Sequence, residues 1–365
     1  MRTANGVPQS SNALSGRARA RWTCSGLVAL TLIPFLLPVA GTAAESRELI
    51  LAAYSVPKEA YETRIIPAFQ RHWKQKTGQD LRIRSSYGAS GAQARAVIGG
   101  FEADVAALSI ESDLDQVVKA GLITHNWREG SHKGIIATSV VALGVRKGNP
   151  KSIKTWEDLT KPGVEVLYPN PKTSGGAMWD IAAIYGAGLK AAGPSATDAQ
   201  KAAAAASLVK RVQKNVKVMD KSGRESVTTF ERGVGDVIVT YENELLPRIK
   251  SGRPVEMIVP SGTILVESPI ALVDKNVDKH HVRDVAEAFI TFLHTGEAQR
   301  AFADAGFRPV EQAKSDRPGS FPETSGRPPG LFTIAELGGW DKVASIIFGP
   351  QGAWTKAVEE LARGR

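Results

Sequence analysis

One stretch constrains the fold more than any other: VEVLY (164–168), then PNPKTSGG (169–176), then AMWDIAAIYGAGL (177–189). A short apolar run enters a turn carrying two prolines, and the turn ends in Ser-Gly-Gly where a helical pattern begins. A strand passing through such a turn into a helix is the building unit of an open α/β sheet. Gly175 and Gly176 leave the backbone bare where the first helical turn has unpaired amides and the helix dipole is positive. Such a place suits a small anion. Taken alone, a Gly-rich turn that holds no ligand is the other reading.

The pattern recurs twice. In Tyr87-Gly88-Ala89-Ser90-Gly91-Ala92-Gln93 a strand gives way to the helix AQARAVI, with Ser90 at its N-cap place. The Ser90 hydroxyl there either caps its own helix or donates to a ligand together with its amide. Lys221-Ser222-Gly223-Arg224-Glu225-Ser226 is the third such turn. Strand and helix signals alternate along the chain. RELILAAYSVP (47–57) precedes an amphipathic helix over 58–78 capped by Gly78, and DLRIRSSYG (80–88), ADVAALS (103–109) and GIIATSVVALGVRKG (134–148) follow as strands. DVIVTYENE (236–244) reads as a strand, with Glu242 and Glu244 on one face in a surface or hinge ion-pair role. VRDVAEAFITFLHTGEAQRAF (282–302) reads as one amphipathic helix.

This alternation predicts an α/β protein of two lobes with largely parallel strands and a ligand cleft between the lobes. The expected division is 45–136 for the first part of lobe 1, 137–248 for lobe 2, and 249–365 for the rest of lobe 1 with the C-terminal helices. Ligands of open α/β sheets collect at the carboxyl ends of strands, where all three turns lie.

Residues 1–44 read as an export leader. Arg2, Arg17, Arg19 and Arg21 form a basic start without an acid, GLVALTLIPFLLPVA (26–40) is apolar, and GTAA (41–44) offers small residues for cleavage near Ala44. An uncleaved anchor helix is the alternative. Cys24 precedes the apolar stretch, which argues against a lipid anchor there, and its removal leaves a mature chain without cysteine. Subtracting the four arginines from the formal charge of +9 gives 9 − 4 = +5. With acids interspersed and no basic run interleaved with aromatics, that charge does not point to nucleic acid.

Enzymatic signatures are missing from the same turns. YGASGA has Ala92 where a nucleophile elbow needs its second glycine, and no turn ends in Gly-Lys-Ser/Thr. The six histidines form no helical ligand pair, and His280-His281 read as a solvated loop. No metal or other cofactor is expected.

These residues resemble the periplasmic sulfate-binding proteins of ABC importers and their thiosulfate-binding relatives. The similarity runs from AAYSVPKEAYE through RSSYGASGAQARAVIGGFEADV, TWEDLTKPGVEV, PNPKTSGGAMW, ERGVGDV and YENE to LFTIAELGGW, and PNPKTSGG with the ASGAQ turn is its most specific part. The resemblance implies a type II periplasmic-binding-protein fold that holds a dehydrated sulfate with neutral donors, and delivery to importer membrane subunits. It also implies a periplasmic monomer without catalytic activity. By position it assigns Ser90 a hydroxyl and an amide, Gly175, Gly176 and Gly223 their amides, Ser55 a main-chain amide, and Tyr241 a donor from the second lobe. Two positions depart from the family pattern: Ser55-Val56-Pro57 stands where Asp-Pro is usual, and Tyr241 where tryptophan is usual. The residue reading keeps two alternatives: a binding protein for another tetrahedral oxyanion, and a secreted hydrolase.

Overall fold

A computed structural model describes residues 47–310 and 326–364. The expected leader, residues 1–44, lies outside the described residues. Three parallel strands open the fold: β1 (Arg47–Tyr54), β2 (Leu81–Gly88) and β3 (Val105–Ala107). Between them run α1 (Lys58–Ala60), α2 (Ile66–Thr77) and α3 (Ser90–Ile98), followed by α4 (Glu111–Lys119). Gly78 ends α2 in the left-handed conformation at φ 73°, which a side chain would oppose. Apolar residues of β1 meet α2 and the later helices through Phe69, Trp73 and Phe289, all buried.

The chain then crosses in β4 (Ile135–Arg146), a strand buried along almost its whole length, as a β-branched run without polar alternation demands. Next come β5 (Val166–Leu167), α5 (Gly175–Ala191), α6 (Asp198–Lys214), β6 (Val216–Val218), α7 (Gly223–Glu231), β7 (Val237–Tyr241), α8 (Glu242–Lys250), β8 (Val255–Ile258) and β9 (Leu265–Leu272). After these follow α9 (Asp274–Lys279), α10 (Arg283–Leu293) and α11 (Gly296–Asp304). Strand order is β2-β1-β3-β9-β4-β7-β5-β6, with β8 on β4. The first lobe holds β2-β1-β3 and the end of β9, and the second holds β7-β5-β6, β8 and the end of β4.

The joint is the antiparallel pair of β4 and β9. β4 leaves β9 for β7 between Val140 and Val141, and β9 leaves β4 for β3 between Pro269 and Ile270. The pairings of β1 with β2 and β3, and of β5 with β6 and β7, are parallel as expected. The strands that carry the chain out and back are antiparallel, because neighbours running the same way would need a crossover between them.

Three local readings change. ENE belongs to helix α8 and not to a strand: Tyr241 ends β7 and caps the helix, and Glu242 and Glu244 sit in its first turn, where acids complement the dipole. The pattern over 282–302 is two helices, since the Thr295 side chain accepts the Ala298 amide and restarts the chain as α11. His280 is not a solvated loop residue. Its ring is mostly buried at the end of α9, with Nδ1 2.7 Å from Asp104 and Nε2 3.0 Å from Glu102, and these acids raise its pKa against the effect of burial.

The C-terminal segment packs against the second lobe. Trp340 meets Trp179 of α5 edge to face at 4.6 Å, and Trp354 Nε1 donates to Gln213 at 3.1 Å.

Candidate functional site

Each turn singled out lies at the carboxyl end of a strand, and together they enclose one narrow cavity between the lobes. From the first lobe come Ser55 after β1, Ser90 at the start of α3 and Ser109 after β3. From the second come Ser174 and Gly176 at the start of α5, Ser222 and Gly223 at the start of α7, and Tyr241 at the end of β7. Of the six residues assigned from sequence, Ser55, Ser90, Gly176, Gly223 and Tyr241 line the cavity. Gly175 does not. A Cβ on Gly175 would lie 3.1 Å from Ser109 Cβ and 3.2 Å from Ile110, so its bareness serves the close approach of the two lobes. A Cβ on Gly176 would meet Ser174 Oγ at 3.3 Å and the Tyr241 hydroxyl at 3.5 Å, inside the site.

Three helices point their N-termini here. Ser174 caps α5 by accepting the Ala177 amide, and Ser222 caps α7 by accepting that of Glu225, both at 3.3 Å. α3 is arranged otherwise. The Ser90 hydroxyl donates to Asp113 at 2.5 Å and accepts the Ser109 amide at 2.9 Å, so its proton is committed to a neighbouring acid. What Ser90 leaves for the cavity is its amide in the unpaired first helical turn. Burial raises the pKa of Asp113 to about 6, with the Ser90 hydrogen bond and the charge of Arg95 working the other way.

The lobes touch at the site itself. Ser109 Oγ and the Tyr241 hydroxyl are 2.8 Å apart, Trp179 Nε1 donates to the Ser109 carbonyl at 2.7 Å, and the Gly91 amide donates to the Thr173 carbonyl at 3.2 Å. Burial holds the Tyr241 phenol well above its ordinary pKa, so it acts as a neutral hydroxyl. Beside the cavity, Arg224 reaches across from α7 to the Val56 carbonyl at 3.0 Å and to Glu59 at 2.6 and 2.7 Å. Its other partner is Glu244, 3.3 Å away and 1% exposed, which also accepts from Arg248 at 2.9 Å. Glu242 is fully buried and paired with Arg308. The two acids read as surface or hinge partners are thus interior ion-pair residues.

No lysine, arginine or histidine is among the residues that line the cavity. It offers backbone amides, hydroxyls and three positive helix ends, which suits a desolvated anion with acceptor oxygens. Among the described residues no group of acids, histidines or cysteines could hold a metal ion. Sequence reasoning missed Ser109, Thr240 and Asp180 in the wall. Asp180 left a signal, as the lone acid in the apolar run AMWDIAAIYGAGL.

A cleft between two α/β lobes, floored by helix N-termini and hinged on crossing strands, defines a solute-binding protein. Residues 49–308 match the bacterial extracellular solute-binding protein family. A sulfate-binding protein of Synechococcus elongatus is 44% identical over 328 residues, 89% of this chain and 90% of that protein. A thiosulfate-binding protein of Pseudomonas aeruginosa is 36% identical over 288 residues, covering 78% and 84%. The solved structure of the sulfate-binding protein SubI from Mycobacterium tuberculosis superposes with a TM-score of 0.72 at 37% identity, covering 83% of this chain and 99% of that one. The chain belongs to the extracellular solute-binding family, in its branch of sulfate- and thiosulfate-binding proteins.

Proposed function

We propose that this protein captures sulfate, with thiosulfate as the related ligand, and delivers it to the membrane subunits of an ABC importer. It does so in the periplasm as a monomer, after removal of a leader near Ala44. The first lobe is 45–136 with β9 to α11, and the second runs from 137 through β8 and takes the C-terminal helices rather than leaving all of 249–365 to the first; the two close on the anion. Its role is binding and not catalysis, in keeping with a non-enzymatic family. The observation that carries the reading is a buried, cation-free cavity on which three helix N-termini converge. The amides of Ser55, Ser90, Gly176 and Gly223, with the Tyr241 hydroxyl, are the proposed donors.

The magnitudes support it. Burying an unpaired ion costs tens of kcal/mol, whereas each hydrogen bond to a charged group contributes about 1.5–3 kcal/mol. Five such bonds, helped by the helix ends, offset dehydration and the cost of association. Calorimetric titration of anion-stripped protein tests the reading: saturable one-to-one binding of sulfate is expected, with thiosulfate competing for the site. Absence of binding by either anion would overturn it.

A further inference from the structure

Asp180 lies one helical turn after Gly176 on the same face of α5, and its side chain forms part of the cavity wall. It is 1% exposed, and its Oδ1 has no hydrogen-bond partner. An unpaired carboxylate buried this deeply is costly, and beside a bound anion it would add repulsion. The groups around it offer no counter-charge. Tyr241 and Tyr168, at the ends of β7 and β5, feel its charge, and the cavity lining holds no cation; Arg224 and Arg248 are matched to Glu244, and Arg95 acts on Asp113.

We propose that Asp180 is a specificity-determining residue of the anion site: it keeps its proton and donates that O–H to the bound dianion, which couples sulfate binding to one proton. This rests on the reading of the cavity as an anion site. Burial moves the Asp180 pKa well above the ordinary carboxylate range, in keeping with a neutral acid. A neutral carboxyl has one O–H to give, which adds a side-chain donor to a wall otherwise made of amides and hydroxyls. A dianion next to the carboxyl holds that proton more firmly still, so wherever the empty site has lost it, each anion bound brings one back. Sulfate has no titration of its own near neutral pH, so the linkage belongs to the protein.

Calorimetry of the full mature chain with sodium sulfate from pH 5 to pH 9, in buffers of differing ionisation enthalpy, tests this. Above the pKa of Asp180 in the empty site the wild type takes up towards one proton per sulfate and its affinity falls towards about tenfold per pH unit; below it, binding is flat with pH and rests on the neutral O–H. In Asp180→Asn the neutral amide still donates, so proton uptake and pH dependence both vanish. If that variant folds poorly, the carboxylic-acid C=O stretch of the sulfate-bound wild type decides the matter. A sulfate-bound wild type that shows only ionised carboxylates overturns the role of Asp180. Wild-type preference for inorganic phosphate over sulfate, reversed in Asp180→Asn, also overturns it, because the carboxylate would then be accepting. Failure of every tetrahedral anion to bind overturns instead the reading of the cavity.

Discussion

The two walls of the cavity are built on opposite plans. On the first lobe the polar groups are tied before any ligand arrives: Ser90 to Asp113, the Ser109 amide to Ser90, and the Ser109 hydroxyl across to Tyr241 of the second lobe. On the second lobe Ser174 and Ser222 only cap their own helices, and between them the wall is bare backbone at Gly176 and Gly223, with the unpartnered Oδ1 of Asp180 one turn below Gly176. One wall is fixed in advance, and the other is left to be completed by what binds. Full charges are kept off the cavity wall: Arg224, beside it, is matched by exposed Glu59 and by interior Glu244. An anion that met Arg224 directly would displace those pairs, whereas one that meets amides displaces only water.

The largest effect is expected from breaking the bare wall. Gly176→Leu fills the space between Ser174 and Tyr241, and sulfate affinity should fall by about 100-fold or more, roughly the loss of two charge-assisted bonds. Because Gly176 has no left-handed backbone to protect, the thermal midpoint should stay near that of wild type.

The tied wall is probed by pH. The folded Asp113 pKa of about 6 lies above its unfolded value of 3.8, so the native state holds the proton more strongly. Its contribution to stability is full below the unfolded pKa and is lost as pH rises through the folded one. Between about pH 4 and pH 6 that loss is on the order of 3 kcal/mol. Denaturant unfolding across this range should show the slope in wild type and a shallower one in Asp113→Asn.

The join between the walls comes next. Tyr241→Phe deletes the hydroxyl shared with Ser109 and should weaken sulfate binding by about tenfold, near 1.4 kcal/mol, measured by calorimetry. Beside the cavity, Arg224→Ala removes the bonds to Val56 and Glu59 and leaves Glu244 with Arg248 alone. A loss of stability of about 1–2 kcal/mol in urea is expected, with only a few-fold change in affinity, since Arg224 does not line the cavity.

The difference between the walls also explains what could be read from the sequence. Bare-backbone sites announce themselves, because Ser-Gly between a strand and a helix has few other uses; Ser90, Gly176 and Gly223 were found this way and line one cavity. Tied sites do not. Ser109 follows a three-residue strand with no glycine to mark it, and its place depends on the lobes meeting. Gly175 was legible as a bare residue, yet its reason is the approach of Ser109 and Ile110 from the other lobe. Asp180 was visible as a solitary acid, but which way it faced needed the packing of α5 on β7. The strand and helix order followed from periodicity. It failed at Tyr241-Glu242-Asn243-Glu244, where alternating polarity mimics a strand while two acids suit a helix start.

A crystal structure with sulfate bound tests the central claim most directly. The account predicts one sulfate between the walls, its oxygens about 2.7–3.2 Å from the amides of Ser90, Gly176 and Gly223 and from the Tyr241 hydroxyl, with no lysine or arginine in contact. A sulfate held by Arg224 or another cation, or seated outside this cavity, would contradict it.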